Sequence, residues 1–171
     1  MAQQVKSTMI FGCGNRIMGD DGFGPAVIDL LSSRYRLPDS VAAIDAGTAV
    51  REYLFDYLLS PEGRPRSIIL LDAVDYQGRE SGEVFLISPR MIPAKKVHDF
   101  SLHQFPSVNL LSEIEEYTGI DVTIIAAQME CLPEEVKEGL SPSMEAAVVH
   151  ACETITQMLF CKYSISEVTP P

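Results

Sequence analysis

Residues 9–31 read MIFGCGNRIMGDDGFGPAVIDLL, and the order of patterns inside this stretch points to the fold class. Met9–Gly12 is a short apolar run closing on glycine, the signature of a buried strand entering a turn. From Phe23 onward the apolar residues Phe23, Val27, Leu30 and Leu31 recur at helical spacing, and the helix is expected to end before Pro38. Strand, glycine-rich loop and helix in that order open an α/β domain.

The alternation continues outward. Val41–Ile44 reads as a second short strand, and Val50, Leu54, Tyr57 and Leu58 mark a second amphipathic helix. Ser67–Leu71 (SIILL) is wholly apolar after its first residue, as expected at the buried centre of a sheet. Glu83–Ile87 is a further strand after the turn region Gln77–Gly82, and the short link predicts antiparallel pairing with Ser67–Leu71. Val108–Tyr117 reads as helix and Val122–Ala126 as the last strand. Ser141 suits an N-cap and Pro142 the first helical position. Met144, Val148, Ala151, Ile155, Met158 and Lys162 then step along one helical face, a core-packing stripe, with Cys152 and Cys161 read as small core residues of the same pattern. The expected architecture is a three-layer α/β domain: a twisted, mostly parallel five-stranded sheet with helices on both faces. Residues 1–163 form the single domain, and 164–171, without periodicity, are expected to be a flexible tail.

Composition removes whole classes of function. The 171 residues carry 13 basic and 24 acidic groups, a net charge of −11, which argues against nucleic acid and against anionic membrane surfaces. Residues 101–171 alone hold 2 basic and 11 acidic groups, the pattern of a solvated face or of a surface steering a basic partner. No apolar run approaches the ~20 residues of a membrane span, and Met1–Thr8 lacks the apolar core of a secretory signal. Cys13, Cys131, Cys152 and Cys161 form no CxxC pair, which excludes a zinc ribbon or thioredoxin motif and suits a reducing cytoplasm. A monomer is the simplest expectation.

Ligands of such sheets bind outside the carboxyl ends of the strands. Three strand ends carry chemistry: the Gly12–Gly24 loop, Asp72 directly after Leu71, and the loop Asp99–Gln104. The glycine loop does not fit a nucleotide. Ile17 stands where a dinucleotide fingerprint needs its third glycine, no GK[ST] ending follows, and Asp20 with Asp21 would repel phosphate. One carboxylate suffices to cap the following helix, a role assigned to Asp20, which leaves Asp21 for chemistry. Taken singly, Asp72 could be a turn former and His103 an ordinary loop histidine. Taken together, Asp21, Asp72 and His103 converge at one sheet edge as two hard oxygens and one imidazole. That donor set suits Ni²⁺, Zn²⁺ or Fe²⁺ with coordination positions left open. Cys13, His98, Asp75 and Asp45 are nearby alternatives, whereas His150 lies off the apolar stripe of the last helix and reads as a surface residue. No GxSxG elbow, HExxH or Cys/His motif is present.

The run GCGNRIMGDDGFGPAVIDLL resembles the opening of the hydrogenase maturation endopeptidases. The likeness continues at Asp45-Ala46-Gly47-Thr48, at Ile69–Ala73, at Ser101-Leu102-His103-Gln104 and at Gly139–Glu145, so it spans nearly the whole chain in order. The FSLHQFPS segment is similar to the branch serving coenzyme F420-reducing hydrogenases. The resemblance implies a cytoplasmic, aspartyl-type endopeptidase that removes a C-terminal peptide from the [NiFe]-hydrogenase large-subunit precursor after nickel insertion. It further implies that Asp21, Asp72 and His103 contact Ni²⁺ presented by the precursor, with Zn²⁺ or Cd²⁺ as surrogates, and that Asp21 and Asp72 are the catalytic carboxylates. Many members carry Glu where this chain has Asp21, which keeps the charge and shortens the reach. A non-catalytic nickel- or precursor-binding chaperone is the alternative, and a small-molecule-binding α/β domain a third reading, weakened by the missing glycine.

Overall fold

The computed structural model describes residues 6–89, 108–131, 135–161 and 166–167. In chain order its elements are β1 (Thr8–Cys13), α1 (Phe23–Arg34), β2 (Tyr35–Arg36), β3 (Val41–Gly47), α2 (Val50–Leu59), β4 (Ser67–Val74), β5 (Val84–Ile87), α3 (Val108–Thr118), β6 (Asp121–Gln128), α4 (Pro142–Phe160) and β7 (Ser166–Glu167). The main sheet has five strands in the order β3-β1-β4-β6-β5. β1, β3, β4 and β6 run parallel, and β5 joins antiparallel at one edge.

β4 is buried along its whole length because it has a parallel neighbour on each side and helices over both faces. Its side chains alternate between two cores, as the pleat requires. Ile69, Leu71 and Ala73 pack with Phe23, Val27 and Leu31 of α1 and Met144, Ala151 and Ile155 of α4. Ile68, Leu70 and Val74 pack with Val50 and Leu54 of α2 and Leu110, Leu111 and Ile114 of α3. Helix α1 lies unusually close to the sheet. A Cβ on Gly24 would come within 2.3 Å of the Cys13 carbonyl oxygen, and one on Gly12 within 2.6 Å of the Gly24 carbonyl oxygen. The glycines of the opening motif therefore serve helix–strand contact.

Several expectations need correction. β5 does not pair with β4; it pairs antiparallel with β6, because both edges of β4 are already taken. The link from β4 passes beside the end of β6, where Tyr76 N–H donates to Gln128 Oε1 and Gly82 N–H to the Gln128 carbonyl. Asp72 lies inside β4 rather than after it, since pairing with β6 continues to Val74↔Gln128 while pairing with β1 stops at Gly12↔Leu71. β3 likewise extends past Ile44 to Gly47 and contains Asp45. Cys152 is buried but Cys161 is exposed, because the buried face of α4 ends at Leu159. Lys162 lies outside the described residues. Within the segment read as a tail, Ser166 and Glu167 pair antiparallel with Tyr35 and Arg36, a two-stranded ladder that too short a pattern concealed. Among the described residues no helix is long and apolar enough to cross a membrane.

Candidate functional site

From β1 the chain moves through α1 to β3 on one side, whereas β4 lies on the other. The order of connection reverses between β1 and β4, and the crevice beyond their carboxyl ends is where such sheets bind ligands. Asp21 comes from the loop after β1 and Asp72 from β4, so the topology brings both to this point.

The loop that carries Asp21 is built by close backbone contacts. A 3₁₀ turn spans Gly19–Gly22, with Asp20 and Asp21 in its first turn. Gly14 has φ +119°, and a Cβ there would lie 1.8 Å from the Asp21 carbonyl oxygen, so only glycine fits beneath the turn. Gly14 N–H donates to the Gly47 carbonyl (3.0 Å), which ties the loop to β3. The carboxylate of Asp21 accepts the Asn15 N–H at 2.8 Å on Oδ2.

Asp72 is 4% exposed, and its carboxyl is held well above the ordinary carboxylate range. Burial is the larger cause and the negative charge of Asp21 the second, opposed by the Ala73 N–H. The two aspartates thus share one electrostatic environment, in which a second negative charge is disfavoured unless a cation joins them. Cys13 lies in the same place: its thiol is buried and pushed upward by burial first, then by Asp72, Asp21 and Asp45. Such a thiol is protonated and unreactive. Among the described residues no three His, Cys, Asp or Glu side chains form a metal-holding group. His103 and His98, with the loop Asp99–Gln104, lie outside the described residues.

The weaker candidates are committed elsewhere. Asp45 is bonded by Arg16 through Nε (2.9 Å) and Nη2 (2.8 Å), and also accepts the Gly47 N–H. Asp75 accepts Gln128 Nε2 at 3.1 Å. His150 is exposed on α4, as expected. Asp20 is structural but does not cap α1. The N-cap position of α1 is Gly22, with no side-chain bond, and Asp20 reaches instead to Glu130 and Ser141. Ser141 does occupy the N-cap position of α4, yet its hydroxyl bonds Asp20 and Ser143 rather than the helix backbone.

Arg16 is the residue that the sequence reading passed over. Its guanidinium bridges Asp45 of β3 and Asp29 of α1 (Nη1–Oδ2 2.5 Å), and this hydrogen bond holds the Asp29 carboxyl below its usual range. The available signal was charge: Arg16 is the only cation in a loop flanked by carboxylates.

A profile described as hydrogenase maturation protease matches residues 25–158. A protein of Methanocaldococcus jannaschii, provisionally named a hydrogenase maturation protease, is 35% identical over 151 residues, 88% of this chain and 94% of the relative. The coenzyme F420 hydrogenase subunit delta of Methanothermobacter thermautotrophicus is 32% identical over 155 residues, covering 86% and 90% of the two chains. Among solved structures, a [NiFe] hydrogenase maturation protease from Thermococcus kodakarensis KOD1 superposes with a TM-score of 0.72 at 26% identity, over 93% of this chain and 95% of that one.

Proposed function

This chain belongs to the hydrogenase maturation protease family, and from that premise we propose that it removes the C-terminal extension of a [NiFe]-hydrogenase large-subunit precursor once nickel is in place. The observation that carries the reading is the meeting of Asp21 and Asp72 at the switch point of the sheet, where burial and like charge favour the arrival of a cation.

Nickel is part of the substrate in this reading. It enters held by the precursor, and Asp21, Asp72 and His103 complete its coordination. Two carboxylates and an imidazole form an incomplete set, so the site holds metal weakly alone and well when the precursor supplies the remaining donors. Arrival of the cation favours the ionised form of Asp72, which burial and the charge of Asp21 otherwise oppose. The checkpoint follows: a precursor without nickel docks poorly and is not cut.

Hydrolysis then needs a base to take a proton from water and an acid to give a proton to the leaving amine. Asp21 is only partly buried, and the Asn15 N–H supports its Oδ2, so it faces the solvent that supplies the attacking water. It takes a proton from water as oxygen attacks the scissile carbonyl, and returns it to the departing amine nitrogen as the C–N bond breaks. Asp72, buried behind it, serves as the inner ligand. The experiment is incubation with nickel-loaded precursor, followed by intact mass. A fall in mass by one C-terminal peptide supports the reading.

One observation favours a second reading. The Methanothermobacter relative is named as a hydrogenase subunit, which suits a protein that binds the precursor without cutting it. A stable complex of unchanged mass in the same incubation would select that alternative.

A further inference from the structure

Asp20 and Asp21 are adjacent, yet they are anchored to opposite sides. The Asp20 carboxylate is 5% exposed and accepts three hydrogen bonds: Ser141 N–H on Oδ1 at 2.7 Å, and Glu130 N–H and Ser141 Oγ–H on Oδ2, each at 3.0 Å. The backbone beside it adds two more. Gly19 N–H donates to the Lys137 carbonyl at 2.6 Å, and Lys137 N–H donates to the Ile17 carbonyl at 3.0 Å, a parallel bridge between Met18 and Lys137. One side of the turn is therefore fastened to the segment joining β6 to α4. The other side is fastened by Asp21 to Asn15 and seated on Gly14.

We propose that Asp20 is a positioning residue for Asp21: by clamping the turn to Glu130 and Ser141, it fixes the direction in which the Asp21 carboxylate projects into the crevice. The proposal rests on the reading of Asp21 as a catalytic carboxylate. The clamp uses both side-chain oxygens of Asp20 as acceptors. Three donors converge on its two oxygens, so an amide in its place would set its own NH₂ against a donor and leave a buried group unsatisfied. Asn at this position keeps the shape but loses at least one of the three bonds. Capping of α1, the role that local pattern suggests, would leave Asp21 indifferent to Ser141.

The test uses the full chain as wild type, Asp20→Asn and Ser141→Ala. The Asn15 amide resonance in a ¹H–¹⁵N spectrum reports the position of Asp21, whose carboxylate it contacts, and steady-state processing of nickel-loaded precursor supplies kcat and KM. Asp20→Asn is expected to shift the Asn15 amide and to lower kcat by about 10-fold with KM within about 2-fold of wild type. Ser141→Ala, which removes one bond of three, shifts the same amide in the same direction by less. Should Asp20→Asn fail to fold, Ser141→Ala carries the test alone. An Asn15 amide at its wild-type position in the folded variants, with wild-type kcat, overturns the proposal. If the wild-type protein leaves the precursor intact, the peptidase reading fails, while the Asn15 amide still decides whether Asp20 positions Asp21.

Discussion

Asp72 is held well above the ordinary carboxylate range by burial first and by the negative charge of Asp21 second. A carboxyl whose pKa rises on folding binds its proton more tightly in the native state. It favours folding below the ordinary carboxylate range, and that advantage is lost as pH climbs through the folded value. Once ionised, Asp72 therefore costs stability in the folded state. Asp72→Asn is expected to melt a few degrees above wild type at pH 7, the scale on which about 1 kcal/mol acts in a domain of this size. The difference should vanish near pH ~3, below the usual carboxylate value, and processing should be lost. Melting curves at both pH values check this.

Asp21→Asn keeps an oxygen for the Asn15 N–H and removes the charge. Processing is expected to fall by about 10²- to 10⁴-fold, the usual weight of a general base. The Asp72 carboxyl, relieved of one of its two upward pushes, should titrate lower in the variant, as followed by its ¹³C carboxyl shift. An unchanged Asp72 titration would separate the two residues.

Gly14→Ala would place a methyl 1.8 Å from the Asp21 carbonyl oxygen at a backbone angle of +119°. Left-handed strain alone costs roughly 1–3 kcal/mol, and relief of the clash must displace the turn. The variant is expected to lose activity out of proportion to its drop in Tm, since the turn carries Asp21. Kinetics and melting on the same sample distinguish this from a uniform loss of folded protein.

His103→Ala is expected to abolish processing while stability stays within about 1 kcal/mol of wild type, the ordinary size of a point-mutation effect. Unfolding of the variant would assign His103 a structural role instead.

The pairing of Asp21 with Asp72 was legible because strand ends of an α/β sheet meet at one edge, whatever the loops between them do. The glycine run was read against nucleotides, and the structure adds its positive use: Gly12 and Gly24 let α1 press on β1, and Gly14 seats the Asp21 turn. What the local pattern did not carry was partner choice. The link from β4 to β5 suits either β4 or β6 as the neighbour, and only the occupancy of both β4 edges decides for β6. Asp72 falls inside its strand because β6 runs longer than β1 beside it. Asp20 has the appearance of a helix cap in sequence, but its partner Ser141 stands 121 residues away, a separation no periodicity spans. The partners of Arg16, Asp29 and Asp45, likewise stand 13 and 29 residues away, beyond any local pattern.

The intact mass of the nickel-loaded large-subunit precursor, before and after incubation with this protein, tests the central claim most directly. The expected result is a fall in mass equal to one C-terminal peptide, absent when the precursor lacks nickel. A precursor that binds and keeps its full mass, or one that is cut equally well without nickel, would contradict the account.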